Sequence, residues 1–367
     1  MKTLLTFTKY LFNKIINVFY YLLMFKKIDN FNYINNILFF KVGSMGDNII
    51  TLPVIASIKD MHPNINITYL TNSGKSPVSM ENLIDKSYIK EFINYTGKSK
   101  KELFNMLSGK KYDLIIDLTQ PSSLIRTIRN MLLFRYLGIN KGIGWNVSEL
   151  SFLRKYQDNY NMVGSELEKY LLLISQYNVT PKKNFILGVT NNVILKIDKL
   201  LEDSYLKDKK IIAFVVGSNR TTTRWPIEYF NEVIEFIIKK TDCTPIIVGG
   251  EADNILVDKL NQKLLNFSGK LTPIESAELF KRCKLTISND TGPMHLSYAV
   301  GTKVVSIFSA RDFKEKWYPP QELGIVVRDN NIDCRLCYLE KCSHISCLKE
   351  IKPVMVIKEL KEIKNAI

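Results

Sequence analysis

The chain has 367 residues, 46% of them apolar and 24% charged, which excludes a disordered segment and leaves room for two domains with separate cores. Its 51 basic residues against 36 acidic ones give a net charge of +15, which favours anionic partners. No basic motif with interleaved aromatics, helix-turn-helix or zinc-finger spacing accompanies that charge. Nucleic acid is therefore not the expected partner, and anionic headgroups or phosphorylated glycans are.

The first 27 residues carry Lys2, Lys9, Lys14, Lys26 and Lys27, with no acid before Asp29. Lys2, Thr6, Lys9, Asn13 and Asn17 recur every three or four positions, which lines them along one helical face. The uncharged run between Lys14 and Lys26 is 11 residues, short of the roughly 20 that a bilayer span needs. No small-x-small cleavage pattern follows it. Residues 1–30 thus read as an amphipathic helix lying on the inner face of the cytoplasmic membrane, a peripheral and cytoplasmic location. A helix packed on the first domain and a disordered leader are the alternatives.

The run Ile37–Val42 has the apolar, aromatic and branched composition of a buried strand. It breaks at Gly43-Ser44-Met45-Gly46-Asp47, and a helix is expected from about Asn48 to Met61, with Pro53 as a kink or early-turn residue. A glycine-containing turn at the end of a first strand is where open α/β sheets bind ligands. The spacing is not G-x-G-x-x-G, so a dinucleotide site fits poorly. Asp47 at the floor of such a crevice is a candidate general base, or else a cap for the helix that follows. Further strands are expected near Ile65–Thr71, Ile89–Ile93 and Tyr112–Leu118. After the last of these a helix carries Arg126, Arg129 and Arg135, suited either to an acceptor phosphate or to a solvated face. Residues from about 176 to 209 read as an interdomain connection.

A second alternating set begins at Lys210–Val216 and continues through strands near Pro245–Gly249, Leu285–Ser288 and Val304–Phe308. Two α/β halves of similar pattern are expected. Ser288-Asn289-Asp290-Thr291-Gly292-Pro293-Met294-His295 follows its strand directly and opens a short helix. Backbone N–H groups and a helix N-terminus then stand where a phosphate can sit. Asp290, Thr291 and His295 add an acceptor, a hydroxyl and a titratable donor, unless they cap the helix and line its wall. Of six cysteines, Cys243 and Cys283 read as buried thiols. The other four form Cys334-x2-Cys337-x4-Cys342-x4-Cys347, with His344 inside. That density suits a structural zinc or a redox cluster, with free thiols or disulfides as the alternatives.

Four blocks in chain order resemble glycosyltransferase family nine, the ADP-heptose:lipopolysaccharide heptosyltransferase family. They are Lys41–Val54, Val215–Ser218 with Arg224-Trp225-Pro226, Val248–Asp253, and Asp290–Leu296 continued by Ala299–Val305. The resemblance runs from about residue 36 to 360. It implies an α/β GT-B fold, two Rossmann-like domains facing across a cleft. The expected limits are 36–176 for an acceptor domain, 209–350 for a nucleotide-sugar donor domain, and 351–367 for a helix crossing back to the first. It also implies inverting, metal-independent transfer that needs no cofactor. The donor is a nucleotide-diphosphate sugar of the ADP-heptose kind, and the acceptor an anionic glycolipid or oligosaccharide. Asp47 corresponds to the family's base, and Ser44, Met45, Arg126 and Arg129 are placed on the acceptor side. Ser218, Arg224, Glu251, Asp290, Thr291, Gly292 and His295 are placed around the donor. One departure stands out: the family commonly carries Lys where this chain has Thr223, so Arg220 or Arg224 is left to meet the diphosphate. A non-catalytic glycan- or membrane-binding protein and a nucleotide-sugar epimerase are the rival readings.

Overall fold

A computed structural model describes residues 28–72, 78–120, 124–145 and 165–363. The leader, and with it the expected membrane helix, lies outside the described residues. The chain divides into two compact units, Met1–Ile186 and Leu187–Ile367.

The first unit holds five parallel strands: β1 (Asn36–Val42), β2 (Asn66–Asn72), β3 (Glu91–Asn94), β4 (Leu114–Asp117) and β5 (Gly142–Ile143), in the order β3-β2-β1-β4-β5. β1 and β4 are hydrogen-bonded along their length, with Phe40 opposite Asp117. The chain reverses its direction of winding between these two strands, and the crevice at their carboxyl ends is where such sheets bind ligands. Ile37, Leu38, Phe39 and Phe40 are buried without interruption, as a strand covered on both faces requires. The expected single helix is in fact two, Met45–Ile49 and Leu52–Met61. Asn48 explains the break: its carbonyl accepts both Thr51 N–H (3.0 Å) and Thr51 Oγ1 (2.7 Å), closing a turn before Pro53 opens the second helix.

The second unit holds six parallel strands: β6 (Lys210–Val215), β7 (Cys243–Ile247), β8 (Leu265–Asn266), β9 (Leu285–Asn289), β10 (Lys303–Ile307) and β11 (Gly324–Val327). Their order is β11-β10-β9-β6-β7-β8, with the reversal between β6 and β9. The stretch expected as a connection contains the helix Asn191–Asp203, which begins this unit and buries Ile197 and Leu201. Lys196 and Asp198 tie it to Glu275 (2.7 Å) and Arg282 (3.0 Å). The helix Pro353–Glu362 places Val356 and Leu360 in the core beneath β6, β9 and β10, and Trp225 Nε1 donates to Ile351 O at 2.8 Å.

Candidate functional site

Asp47 sits at the third position of the short helix that follows β1. Its Oδ2 accepts from Ser44 N (2.7 Å) and Ser44 Oγ (2.6 Å), while Oδ1 has no hydrogen-bond partner among the described residues. Asp47 therefore does cap the start of its helix, and it does so with one oxygen only. The turn needs glycine at 43, because a Cβ there would lie 2.6 Å from the Asp47 Cβ and 2.9 Å from Oδ2. Asn48 completes the turn: its amide donates to Gly43 O (3.1 Å) and Ser44 O (2.7 Å), and its Oδ1 accepts from Tyr69 Oη at 2.7 Å. Ser44 is exposed and Met45 half-buried at the mouth of this turn.

At the neighbouring end of β4, burial raises the Asp117 carboxyl to about 7, against the Thr119 bonds and the charge of Lys41. Arg126 and Arg129 lie on the helix Leu124–Tyr136, both exposed. Their charges reach the Tyr95 hydroxyl, which burial and then the Asp117 charge push up to about 12. Tyr95 stands just beyond the end of β3, on the carboxyl edge of this sheet. Arg135 is in the last turn of the same helix.

In the second unit the carboxyl ends of β6 and β9 bring three sequence blocks together. Ser218 is buried, with Oγ 2.7 Å from Thr223 Oγ1 and 3.5 Å from Asp290 O. Arg224 Nε donates to Ser218 O at 2.6 Å, leaving its terminal nitrogens without partners among the described residues. Arg220 is instead spent on an exposed ion pair with Glu340 (2.8 Å). Thr223, where the family resemblance expects lysine, is buried and pinned between Ser218 and Arg220 O, which leaves Arg224, whose charge also acts on Asp253, as the cation of this loop with no ion pair among the described residues. Thr291 caps the helix Gly292–Ala299 with extended backbone and no side-chain hydrogen bond to it, which keeps the hydroxyl available. Glu251 is exposed on the turn after β7, where Gly269 passes so close that a Cβ would meet the Glu251 Cα at 2.8 Å. His295 is buried rather than projecting freely. Its Nδ1 lies 2.6 Å from Tyr298 Oη, whose ionisation is disfavoured by burial and by the Asp290 charge.

Two organising residues lie inside the quoted motifs but are not among the site residues expected from them. The buried Asn289 amide donates to Val216 O (2.8 Å), and its Oδ1 accepts from Trp225 N (2.9 Å), which locks the end of β9 to the end of β6. Asp253 fills the space above Gly217 and Gly249, where a Cβ would fall 1.8 Å and 2.5 Å from its carboxylate oxygens. The signal for Asp253 was the pair of glycines with no turn of their own to explain them.

The four clustered cysteines are free thiols that border, with His344 and Thr222, a cavity of about 30 Å³. Burial and then the neighbouring thiols push the Cys334 and Cys347 thiols up, toward their neutral form. Among the described residues, no group of three or more His, Cys, Asp or Glu stands arranged to hold a metal ion. The loop is tied to the rest of this unit, with Thr222 Oγ1 donating to Leu339 O (3.1 Å) and Arg311 to Leu339 O (3.0 Å) and Tyr338 O (3.1 Å).

Comparison with known proteins agrees with this geometry. The chain is 28% identical over 167 residues to lipooligosaccharide heptosyltransferase 2 of Campylobacter jejuni, a match covering 43% of this chain and 52% of that protein. The chain therefore spans about half the length of these Campylobacter relatives. A longer match, 23% identical over 300 residues, joins 74% of the chain to 83% of lipooligosaccharide heptosyltransferase 2 of Haemophilus influenzae. The solved glycosyl transferase family 9 structure from Veillonella parvula superposes with a TM-score of 0.68 at 20% identity, over 91% of this chain and 97% of that one. That likeness shows the shared GT-B fold. With residues 101–346 matching the model of that family, the chain belongs to glycosyltransferase family 9 (heptosyltransferase).

Proposed function

We propose that this protein is an inverting, metal-independent glycosyltransferase that moves heptose from a nucleotide-diphosphate donor such as ADP-heptose to a lipopolysaccharide-type or other anionic surface glycan. The observation that carries the reading is the Asp47 carboxylate, held by Ser44 through Oδ2 with Oδ1 unengaged at the ligand-binding end of β1. In this reading the acceptor hydroxyl gives its proton to Oδ1 as its oxygen attacks the anomeric carbon. The bond from that carbon to the diphosphate breaks on the opposite side, so one displacement inverts the centre. Arg126 and Arg129 supply cations for an anionic acceptor.

The departing diphosphate gathers negative charge. The chain has no Asp-x-Asp pair of the kind that holds a metal in metal-dependent transferases. Neutralisation is then assigned to the Gly292 end of its helix, the Ser218 and Thr291 hydroxyls and the Arg224 guanidinium. Asp290 and His295 are placed around the diphosphate and sugar, and Glu251 toward the ribose. The relatives, lipooligosaccharide and lipopolysaccharide heptosyltransferases by name, support heptose as the donor sugar and such a glycan as acceptor.

Residues 1–27 are assigned to the inner leaflet, on the strength of five lysines combined with an apolar helical face. Among the described residues no helix is long and apolar enough to cross a membrane. The cysteine loop is assigned a structural zinc. Four thiols and an imidazole around one cavity are a suitable donor set, and binding has to draw them together from their present spacing.

Asp47→Asn keeps an acceptor oxygen for Ser44 and cannot take a proton. We expect the variant to fold, to bind donor nucleotide normally and to transfer sugar at least about a hundredfold more slowly, as removal of a general base does. A residue that only capped its helix would cost about 1 kcal/mol of stability and little rate, so near-wild-type turnover removes Asp47 as the base. The full chain should sediment with anionic vesicles and release in high salt, and deletion of residues 1–27 should abolish the binding. Salt-insensitive binding, or equal binding by the shortened chain, contradicts the membrane assignment. Elemental analysis of protein purified under reducing conditions should find about one zinc per chain, lost in a Cys334→Ser/Cys337→Ser variant. Wild-type protein without zinc rejects the assignment.

A further inference from the structure

The helix Gly292–Ala299, which opens directly after β9, is held at both ends. Met294 N donates to Thr291 O at 3.1 Å in its first turn. Ser297 Oγ donates to Thr286 Oγ1 on β9 at 2.8 Å. Gly301, at a φ of +87°, closes the other end by donating its N–H to Tyr298 O at 2.9 Å. Within this frame His295 and Tyr298 stand about one turn apart, on the same face of the helix. His295 Nδ1 lies 2.6 Å from Tyr298 Oη, and the two rings meet edge to face with centroids 5.4 Å apart. Both side chains are buried.

Packing alone does not call for that hydroxyl. Phenylalanine would fill the same space and bring no buried oxygen to satisfy. The hydroxyl does have a consequence for the imidazole beside it. A neutral imidazole carries one proton, and the hydrogen bond made at one nitrogen decides which nitrogen holds it. Burial, and then the Asp290 charge, push the Tyr298 phenol up, so it keeps its own proton and can donate it. A diphosphate presents oxygen acceptors only, so an N–H meets it and a nitrogen lone pair does not.

We propose that Tyr298 is a positioning residue for the sugar donor: its hydroxyl donates to His295 Nδ1, which keeps the imidazole proton on Nε2 and holds the ring so that this N–H meets the diphosphate. Tyr298 itself touches no part of the donor in this arrangement and acts through His295. The inference rests on the proposed placement of His295 at the diphosphate, and the variants below separate the two.

The test is a double-mutant cycle, read by calorimetric titration of the full-length protein with ADP. Tyr298→Phe keeps the ring and its packing. It should weaken ADP binding about tenfold, the lower end of what a hydrogen bond to a charged group contributes. His295→Ala should lose at least as much. Adding Tyr298→Phe to His295→Ala should then change the affinity by less than about twofold, because the hydroxyl acts only through that ring. Long-range proton–nitrogen NMR gives a readout independent of binding. The chain has three histidines, and His62 and His344 are assigned by their own substitutions. His295 should show the Nε2-protonated pattern in the wild type, and its Nδ1 resonance should move in Tyr298→Phe. Equal losses from Tyr298→Phe in both backgrounds overturn the proposal. So does a wild-type ring protonated at Nδ1, alone or on both nitrogens, or an Nδ1 resonance that Tyr298→Phe leaves unmoved. Should His295→Ala fail to fold, the NMR comparison decides alone. If His295→Ala weakens ADP binding and Tyr298→Phe does not, Tyr298 alone is misassigned. If neither weakens it, the placement of His295 at the diphosphate fails and takes this proposal with it.

Discussion

The hydrogen bonds from Ser44 to the Asp47 carboxylate settle how the central strand of the first domain ends. They draw the carboxylate back over the chain until it lies against Gly43, where any larger residue would strike it. The same contacts shape the chain on either side. Asn48, next in sequence, holds the carbonyls of Gly43 and Ser44, and its own carbonyl takes Thr51, so the following helix restarts instead of running through. A capping arrangement of this kind is worth about 1 kcal/mol. Its larger effect is geometric, because one carboxylate oxygen is held and the other has no hydrogen-bond partner among the described residues.

The second domain solves the same problem with different residues. Here the strand ends are joined by the Asn289 side chain, which spans β6, β9 and the loop at Trp225. Asp253 fills the space above two glycines at the ends of the neighbouring strands. The loop so formed is short of cations. Thr223 is turned inward, Arg220 is spent on Glu340, and Arg224 remains. Where the family resemblance expects a lysine, this chain keeps a rigid hydroxyl pair and moves the charge one residue on. The cysteine loop braces the arrangement from behind through Thr222 and Arg311.

The strands were legible in the sequence because both sheets are parallel and covered, so each strand is a short apolar run with little alternation. The site blocks were legible for a related reason: turns that bind ligands need glycine and small polar residues directly after such runs. What was not legible depends on long-range contact. Lys41 Nζ donates to Tyr170 Oη, 129 residues away, and nothing local marks a lysine in a strand as buried. His295 reads from the motif as a titratable donor or a wall residue, and its contact with Tyr298, three residues on, is set by the pitch of the helix. The helix Asn191–Asp203 was hidden because only Ile197 and Leu201 of its thirteen residues are buried, while Leu195 is exposed among charged neighbours.

The account stands or falls on whether this chain transfers a sugar, and with which stereochemistry. The direct measurement is to incubate the protein with ADP-heptose and a heptose-deficient lipooligosaccharide acceptor, with chelator present, and to follow the product by mass spectrometry and the anomeric proton by NMR. The account predicts the gain of one heptose per acceptor with the anomeric configuration opposite to that of the donor. Retention of the donor configuration, a requirement for added metal, or binding of the nucleotide without any transfer would contradict it.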